Sequence, residues 1–479
     1  MRWWPIVAFF CLAVVLRAPF WSVDVIDWDE STFILMGQSW ADGNLPYTTL
    51  WDNKPPLCFL PFALVAGWVG KSVAAVRILG LMSVVLTAIV VWRIGRGWGV
   101  ESAGNAIAGR SERVGWLAGA FCIVLVTFAS RGQATMSETL AIAPLALGCA
   151  PILLGRGDLR SAALSGACLS VATLIRFNLL FVAGVAGILW IVRSRQDRSA
   201  RAGIAFAAAA VAVVVATALP YAIEGELELF VRSVVLAPFD YAIAGVRRML
   251  GPSSAVVVGA ALFTCLGGVS RWTRFWLLAA SVALSIGLSG GGSAHYWIQI
   301  HPFTALALAA GVVRVLPRLK WAGDAFMIAG VTVLAAGLAD ASWVERVKAF
   351  RGLEAQGRAR RLAVHLDAQG AHAQPVVLFS DHLAHWWLDS GPIHPILTHP
   401  SNAFRPELFQ VVLGEQATSA ELLRTAFGLK PLFVVLPRVV RHLDRAPPAA
   451  QFLEEVLERD YVAQPNFEGL RVYRRRSGF

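Results

Sequence analysis

Between residues 3 and 340 the chain is dominated by apolar runs that are too long and too numerous for the core of a soluble protein. They lie near 3–22, 76–92, 115–130, 138–154, 161–175, 178–192, 203–222, 252–269, 275–289, 297–313 and 322–340. Each approaches the length that carries a helix, at about 1.5 Å rise per residue, through a hydrocarbon layer about 30 Å thick. Composition agrees, with 57% hydrophobic and 15% charged residues where a soluble chain carries about 25% charged. These features set aside most cytosolic functions and predict an all-α polytopic membrane protein with eleven spans. The run from 161 to 192 is too long for one crossing and is broken by Arg176-Phe177-Asn178, so it reads as a hairpin of two short spans.

The formal charge of +11 could suggest nucleic acid, but the arginines cluster in alternate gaps between the runs, which is a topology signal. Arg93, Arg96, Arg110 and Arg113 form one cluster, followed by Arg156 and Arg160, then Arg193, Arg195, Arg198 and Arg201, then Arg271 and Arg274, then Arg314, Arg318 and Lys320. The positive-inside rule places these gaps and the N-terminus in the cytoplasm and the acidic gaps outside. The same parity forbids Leu57–Gly70 from crossing, so this apolar stretch is expected to be re-entrant or interfacial. The first run reads as a span anchored by Trp3, Trp4 and Trp21 rather than as a cleaved leader. All six cysteines fall in or beside apolar runs, and neither a disulfide framework nor a zinc pattern is readable.

After Asp340 the character changes: residues 341–479 hold 17 Lys and Arg and 14 Asp and Glu. Short apolar runs at Pro375–Phe379 and Leu432–Leu436 read as buried strands, flanked by helical patterns near 344–369, 419–428 and 448–459. The expected organisation is a transmembrane catalytic domain over 1–340, with a first outer loop over 23–75. A small extracytoplasmic α/β domain over 341–479 follows.

The chemistry concentrates in that first outer loop. Asp24, Asp27, Asp29 and Glu30 place four carboxylates within seven residues, and a lone Lys54 stands before Pro55-Pro56. Ionisable groups beside a membrane are functional candidates. A structural reading competes with this, because Asp27-x-x-Glu30 fits a capping box that opens an amphipathic helix carrying Phe33, Met36 and Trp40 and ending at Gly43. Capping accounts for Asp27 and Glu30 and leaves Asp29 and Lys54 unexplained.

Asp29-Glu30 after the first span, Gly43-x-Leu45-Pro46-Tyr47 and Trp51-Asp52-Asn53-Lys54-Pro55-Pro56-Leu57 together resemble the opening of GT-C glycosyltransferases of the protein-mannosyltransferase and aminoarabinose-transferase type. Gly70 and Val76-Arg77 continue the likeness, which is concentrated in residues 24–95 and does not extend to the tail. The resemblance implies a GT-C fold with juxtamembrane helices in the first loop. It also implies an inverting transferase of a bacterial inner membrane that takes a sugar from a polyprenyl-phosphate donor at the outer face. The acceptor would be lipid A or lipopolysaccharide core, another envelope glycan, or a protein. By the same resemblance Asp29 would be the general base, assisted by Glu30, and Lys54 the cation for the departing phosphate. In the aminoarabinose-transferase branch an acid precedes that lysine; here it is Asn53, with Asp52 one residue earlier, which puts a second carboxylate or a divalent metal in doubt.

Donor or substrate contacts are also expected from Asp52, Glu138, Arg176 and the His295-Tyr296 corner, where related enzymes carry Arg or Lys before Tyr. For Glu138 the competing role is a helix cap, and for Arg176 a snorkelling side chain. His382-x-x-His385 with Asp381, Asp389, His394 and His399 fits no standard ligand spacing and reads as surface. No nucleotide-binding glycine loop or serine nucleophile elbow is present. The competing functions are a polytopic lipid or sugar flippase, disfavoured by the lack of paired halves and broken midplane helices, and a non-catalytic envelope assembly subunit.

Overall fold

A computed structural model describes residues 3–98, 105–196, 200–240, 270–289, 293–315 and 357–476. The spans expected at 252–269 and 322–340, and the domain boundary at 340, lie outside the described residues. The described chain is mostly helical with one small sheet near its C-terminus. It clusters into two compact units that interleave along the sequence. One comprises 1–21, 77–217 and 242–351; the other comprises 22–76, 218–241 and 352–479. The first outer loop thus shares a unit with the tail.

In the first unit, the apolar runs become helices close to where hydropathy places them: Trp4–Arg17, Asn105–Phe128, Ser137–Leu153, Leu159–Ile175, Leu180–Gln196, Arg271–Leu288 and His301–Val315. Helices Val73–Gly97 and Arg201–Glu224 each run from one unit into the other. Among the described residues, Val73–Gly97, Ser111–Phe128, Arg201–Glu224 and Ala294–Arg314 are long and apolar enough to cross a membrane, by length and composition. The chain is therefore a multi-pass membrane protein. The break at Arg176 falls where expected: helix Leu159–Ile175 stops, Arg176 turns to extended backbone, and one 3₁₀ turn leads into Leu180–Gln196.

Small residues and serines join these helices, as they do where no hydrophobic drive separates helix from lipid. A Cβ on Gly166 would sit 2.1 Å from the Phe206 carbonyl oxygen, so only glycine permits that crossing. Ser165 donates to the Gly148 carbonyl at 2.6 Å, and Ser83 to the Thr139 carbonyl at 2.6 Å.

In the second unit, helix Trp28–Ala41 begins at the expected cap and ends just before Gly43, whose φ of +98° stops it. The cap geometry differs from the box in its forward bond: Asp27 accepts from the Asp29 backbone N–H at 2.8 Å, and Glu30 is buried. Leu57–Gly70 forms a 3₁₀ turn and helix Leu60–Val69, whose 10 residues span about 15 Å, half a bilayer. It packs on Trp28–Ala41 through Phe33, Phe59 and Phe62, and a Cβ on Gly37 would lie 2.4 Å from that of Phe62.

The tail forms a four-stranded sheet in the order β1-β2-β4-β3, with β1 Val376–Leu378, β2 Phe433–Leu436, β3 Tyr461–Ala463 and β4 Arg471–Arg475. β1 and β2 are parallel, with Val377 opposite Val434, and the other pairs are antiparallel. Their apolar side chains close over Leu362, Leu366 and Leu388. Helices Ser419–Gly428, with a Thr418/Glu421 capping box, and Pro447–Asp460 fall where the pattern placed them. Of the pattern near 344–369, the described part is helix Arg358–Asp367.

Helix Arg358–Asp367 has no cap of its own at Gly357 and takes one from the first outer loop. Asp24 accepts from the Arg360 backbone N–H at 3.0 Å, and a Cβ on Gly357 would come within 1.5 Å of the Asp24 carboxylate. Gly357→Ala is therefore expected to expel Asp24 and cost roughly 2–4 kcal/mol, the sum of an overpacked contact and a lost cap. Thermal unfolding of the detergent-solubilised protein beside Asp24→Ala checks this. Equal melting temperatures for Gly357→Ala and wild type would refute the steric argument.

Candidate active site

The four clustered carboxylates divide their work. Asp24 caps the tail helix and Asp27 caps its own. Glu30 turns to the buried side of Trp28–Ala41, 1% exposed, while Asp29 keeps 25% of its side chain accessible. Asp29 Oδ2 lies 3.8 Å from Lys54 Nζ, and Asp29 Oδ1 lies 3.3 Å from His399 Nε2. Lys54 Nζ is also 3.9 Å from Asp52 Oδ2 and donates to Asn53 Oδ1 at 3.0 Å. The lysine thus sits between two carboxylates. Asp52 supplies the second acid that Asn53 does not, and its Oδ1 accepts from Asn402 Nδ2 at 3.3 Å.

The backbone that presents Lys54 is fixed from below. Tyr47, in the left-handed region at φ +77°, donates its hydroxyl to the Lys54 carbonyl at 2.6 Å. A bulky residue there stores strain that the surrounding packing must hold. Its ring meets Phe59 and Tyr221. Burial, reinforced by Tyr221 and Asp52, holds the Tyr47 hydroxyl well above its ordinary pKa, so it remains a donor. Trp51, one step before Asp52, donates its backbone N–H to the Pro395 carbonyl and its indole N–H to Ser233.

The tail histidines, which read as surface in the sequence, are the main correction. His382, His385 and His399 are all buried. His399 Nδ1 lies 2.9 Å from Ser401 Oγ, and His382 Nε2 lies 3.1 Å from Thr32 Oγ1 one helical turn beyond Asp29. The two imidazoles and the Trp28 indole form an aromatic cluster with centroids about 6 Å apart. An ionised Asp29 selects the His399 tautomer that carries its hydrogen on Nε2, with Nδ1 accepting from Ser401. Burial and the neighbouring His399 and His385 hold His382 well below its ordinary pKa, and burial pushes His385 down to about 3. The available sequence signal was histidines set among Trp and Leu (His385-Trp386-Trp387-Leu388) and beside Thr-His-Pro, a context of buried polar groups rather than solvated ones. Among the described residues, no group of three or more His, Cys, Asp or Glu is arranged to hold a metal ion.

The first unit brings the remaining four expected residues together in a second cluster. Arg176 Nη1 lies 2.7 Å from Glu138 Oε1 and 2.9 Å from Ser137 Oγ, and His295 Nε2 is 3.7 Å from the same carboxylate. The Arg176 guanidinium stacks 4.2 Å over the Tyr296 ring, and His295 meets that ring edge-on. Glu138 is wholly buried, with Arg176 and His295 nearly so. A buried ion pair is costly to desolvate, and one stacked on a tyrosine and shared with a histidine is held in a single geometry. Asn178, next along the break, donates to Ser285 and Gln299, both at 3.1 Å. Arg131 keeps a left-handed backbone at φ +59° in the turn before Glu138.

No protein-family model and no curated protein matches the sequence. Solved structures do. ArnT from Cupriavidus metallidurans in the apo state superposes with a TM-score of 0.56 at 12% identity, over 98% of this chain and 97% of that one. The same protein bound to undecaprenyl phosphate gives 0.50 at 12%, over 100% and 99%. A looser likeness, TM-score 0.47 at 11% identity over 99% and 74%, runs to the archaeal oligosaccharyltransferase AglB from Archaeoglobus fulgidus. The ArnT match includes the tail, and the chain therefore shares the fold of ArnT over its whole length.

Proposed function

We propose that this chain is an integral-membrane inverting glycosyltransferase. It moves a sugar from a polyprenyl-phosphate donor to an extracytoplasmic acceptor: lipid A or lipopolysaccharide core, another envelope glycan, or a protein. The carrying observation is Asp29, a partly exposed carboxylate held between Lys54 and His399 in a chain with the ArnT fold. The undecaprenyl phosphate bound by ArnT supports the donor class.

In this reading the acceptor hydroxyl oxygen attacks the anomeric carbon from the face opposite the phosphate. Its proton passes to Asp29 Oδ2, the C1–O bond to phosphate breaks, and the polyprenyl phosphate leaves with the bonding electrons. Lys54 has two tasks: it holds the Asp29 carboxylate in place, and its ammonium offers positive charge to the phosphate oxygen as charge develops. Asp52 and Asn53 hold the ammonium in place. His399 is a positioning residue that orients the Asp29 carboxylate through Nε2–H. Arg176, with Glu138, His295 and Tyr296, is assigned to donor binding, where a stacked guanidinium gives a planar fork for phosphate oxygens.

The test is transfer by purified protein in detergent with a panel of polyprenyl-phosphate sugars and a membrane lipid extract. The expected result is a glycosylated acceptor with inverted anomeric configuration and released polyprenyl phosphate. Neither transfer nor donor hydrolysis across the panel would sink the transferase reading.

A further inference from the structure

A second concentration of unused chemistry lies in the first unit, in a cleft of about 60 Å³ lined by Ile152, Arg156, Leu189, Trp190, Arg193 and Arg274, with Val192 beside them. Arg156 comes from the turn between helices Ser137–Leu153 and Leu159–Ile175, Arg193 from the last turn of Leu180–Gln196 and Arg274 from the first turn of Arg271–Leu288, and the charge pattern assigns all three to the same side of the membrane. Among the described residues, no carboxylate lies within ion-pair distance of any of them. The nearby Asp158 is occupied in capping its own helix through the Ser161 N–H at 2.9 Å and hydroxyl at 2.7 Å.

Arginines of a positive-inside face ordinarily spread into water. Here they are gathered and partly desolvated. Arg193 donates from Nη2 to the Gly155 carbonyl at 2.7 Å, while the buried Nε atoms of Arg193 and Arg274 have no acceptor among the described residues. Trp190, 2% exposed, lines the same cleft, and among the described residues its indole Nε1 also lacks an acceptor. The Gly155–Gly157 turn packs tightly on these groups, since a Cβ on Gly157 would lie 2.9 Å from Arg193 Nε. Buried donors without acceptors cost about 1–3 kcal/mol each, more for charged groups, and a folded chain retains them where a ligand supplies the acceptor.

We propose that this cleft binds a phosphate group, read by the forks of Arg193 and Arg274 with Arg156 at the mouth and the Trp190 N–H as a fourth donor. Guanidinium forks match tetrahedral oxyanions bidentately. The flank of Ile152, Leu189 and Val192 beside the arginines suits an amphiphile, which favours an anionic lipid headgroup over a free ion. The inference does not depend on the transferase reading, because none of these residues belongs to either cluster described above.

The experiment is thermal unfolding of the full chain in detergent, titrated in separate arms with phosphatidylglycerol, phosphatidylcholine and inorganic phosphate. Phosphatidylglycerol is expected to raise the melting temperature saturably and phosphatidylcholine to leave it unchanged. Stabilisation by inorganic phosphate as well assigns the site to the phosphate alone, and stabilisation by the lipid alone assigns it to a headgroup with its chains. The double substitution Arg193→Lys/Arg274→Lys keeps the topological charge but loses the fork, and is expected to weaken the apparent affinity about tenfold. Should that double variant not fold, Arg156→Gln, at an exposed position, is expected to weaken it about threefold. No stabilisation in any arm, or equal affinity in wild type and the folded variant, overturns the proposal.

Discussion

Asp29→Asn is expected to lower the rate of sugar transfer by about 10²–10⁴-fold, the range that a positioned general base contributes, while donor binding and the melting temperature stay near those of wild type. The amide keeps the size of the carboxylate and still offers an oxygen to Lys54, so the loss belongs to proton acceptance rather than to collapse of the loop. His399→Gln separates orientation from basicity. Glutamine can still donate towards Asp29 but cannot be held by Ser401 in the same way, and a roughly tenfold fall in kcat with an unchanged KM is the expected pattern for a group acting through Asp29. Turnover of Asp29→Asn at the wild-type rate would remove the base assignment altogether.

Acidification is the second large effect. His382 and His385 are wholly enclosed and held neutral, His382 well below its usual pKa and His385 at about 3. In the unfolded chain both titrate near 6.5. As pH falls below 6.5 the unfolded state takes up protons that the folded state refuses, so stability present above pH 6.5 is lost on the way down towards pH 3. Each histidine loses about 1.4 kcal/mol per pH unit, so moving from pH 7 to pH 5 is expected to cost roughly 4 kcal/mol for the pair. Melting curves at pH 7.5, 6 and 5 would show this as a falling transition, and His385→Gln should flatten the dependence. A melting temperature indifferent to pH across that interval would contradict the neutral, buried histidines.

The parts of this molecule that were legible in advance are those fixed by local physics. Apolar length located the helices, the Arg176 break ended one of them on schedule, Asp27 capped the helix it precedes, and the runs around Val377 and Val434 became paired strands. Asp29 and Lys54 stand out because local structure leaves them unexplained, and the fold brings them together. What could not be read was the assignment of four neighbouring carboxylates to four different surroundings, since that depends on side chains far along the chain. Asp24 meets Arg360 across 336 positions, and Asn402 meets Asp52 across 350. The buried histidines escape the sequence for the same reason: spacing shows only neighbours along the chain, and His399 finds its partner in the first outer loop.

The Asp29–His399 contact joins positions 370 apart (399 − 29), and it sets an order of events during synthesis. At about 5–20 residues per second, the segment bearing Asp29 leaves the ribosome about 20–70 s before the segment that delivers His399. Through that interval the nascent loop carries its acids and lysine without the imidazole or the Asn402 amide that order them, so a translating chain has no finished reaction centre. In the proposed transferase, Asp29 therefore acquires its positioning partner only once residue 399 has been made, and a chain truncated before codon 399 is expected to keep the acids and lysine of the first outer loop without the imidazole that orients Asp29.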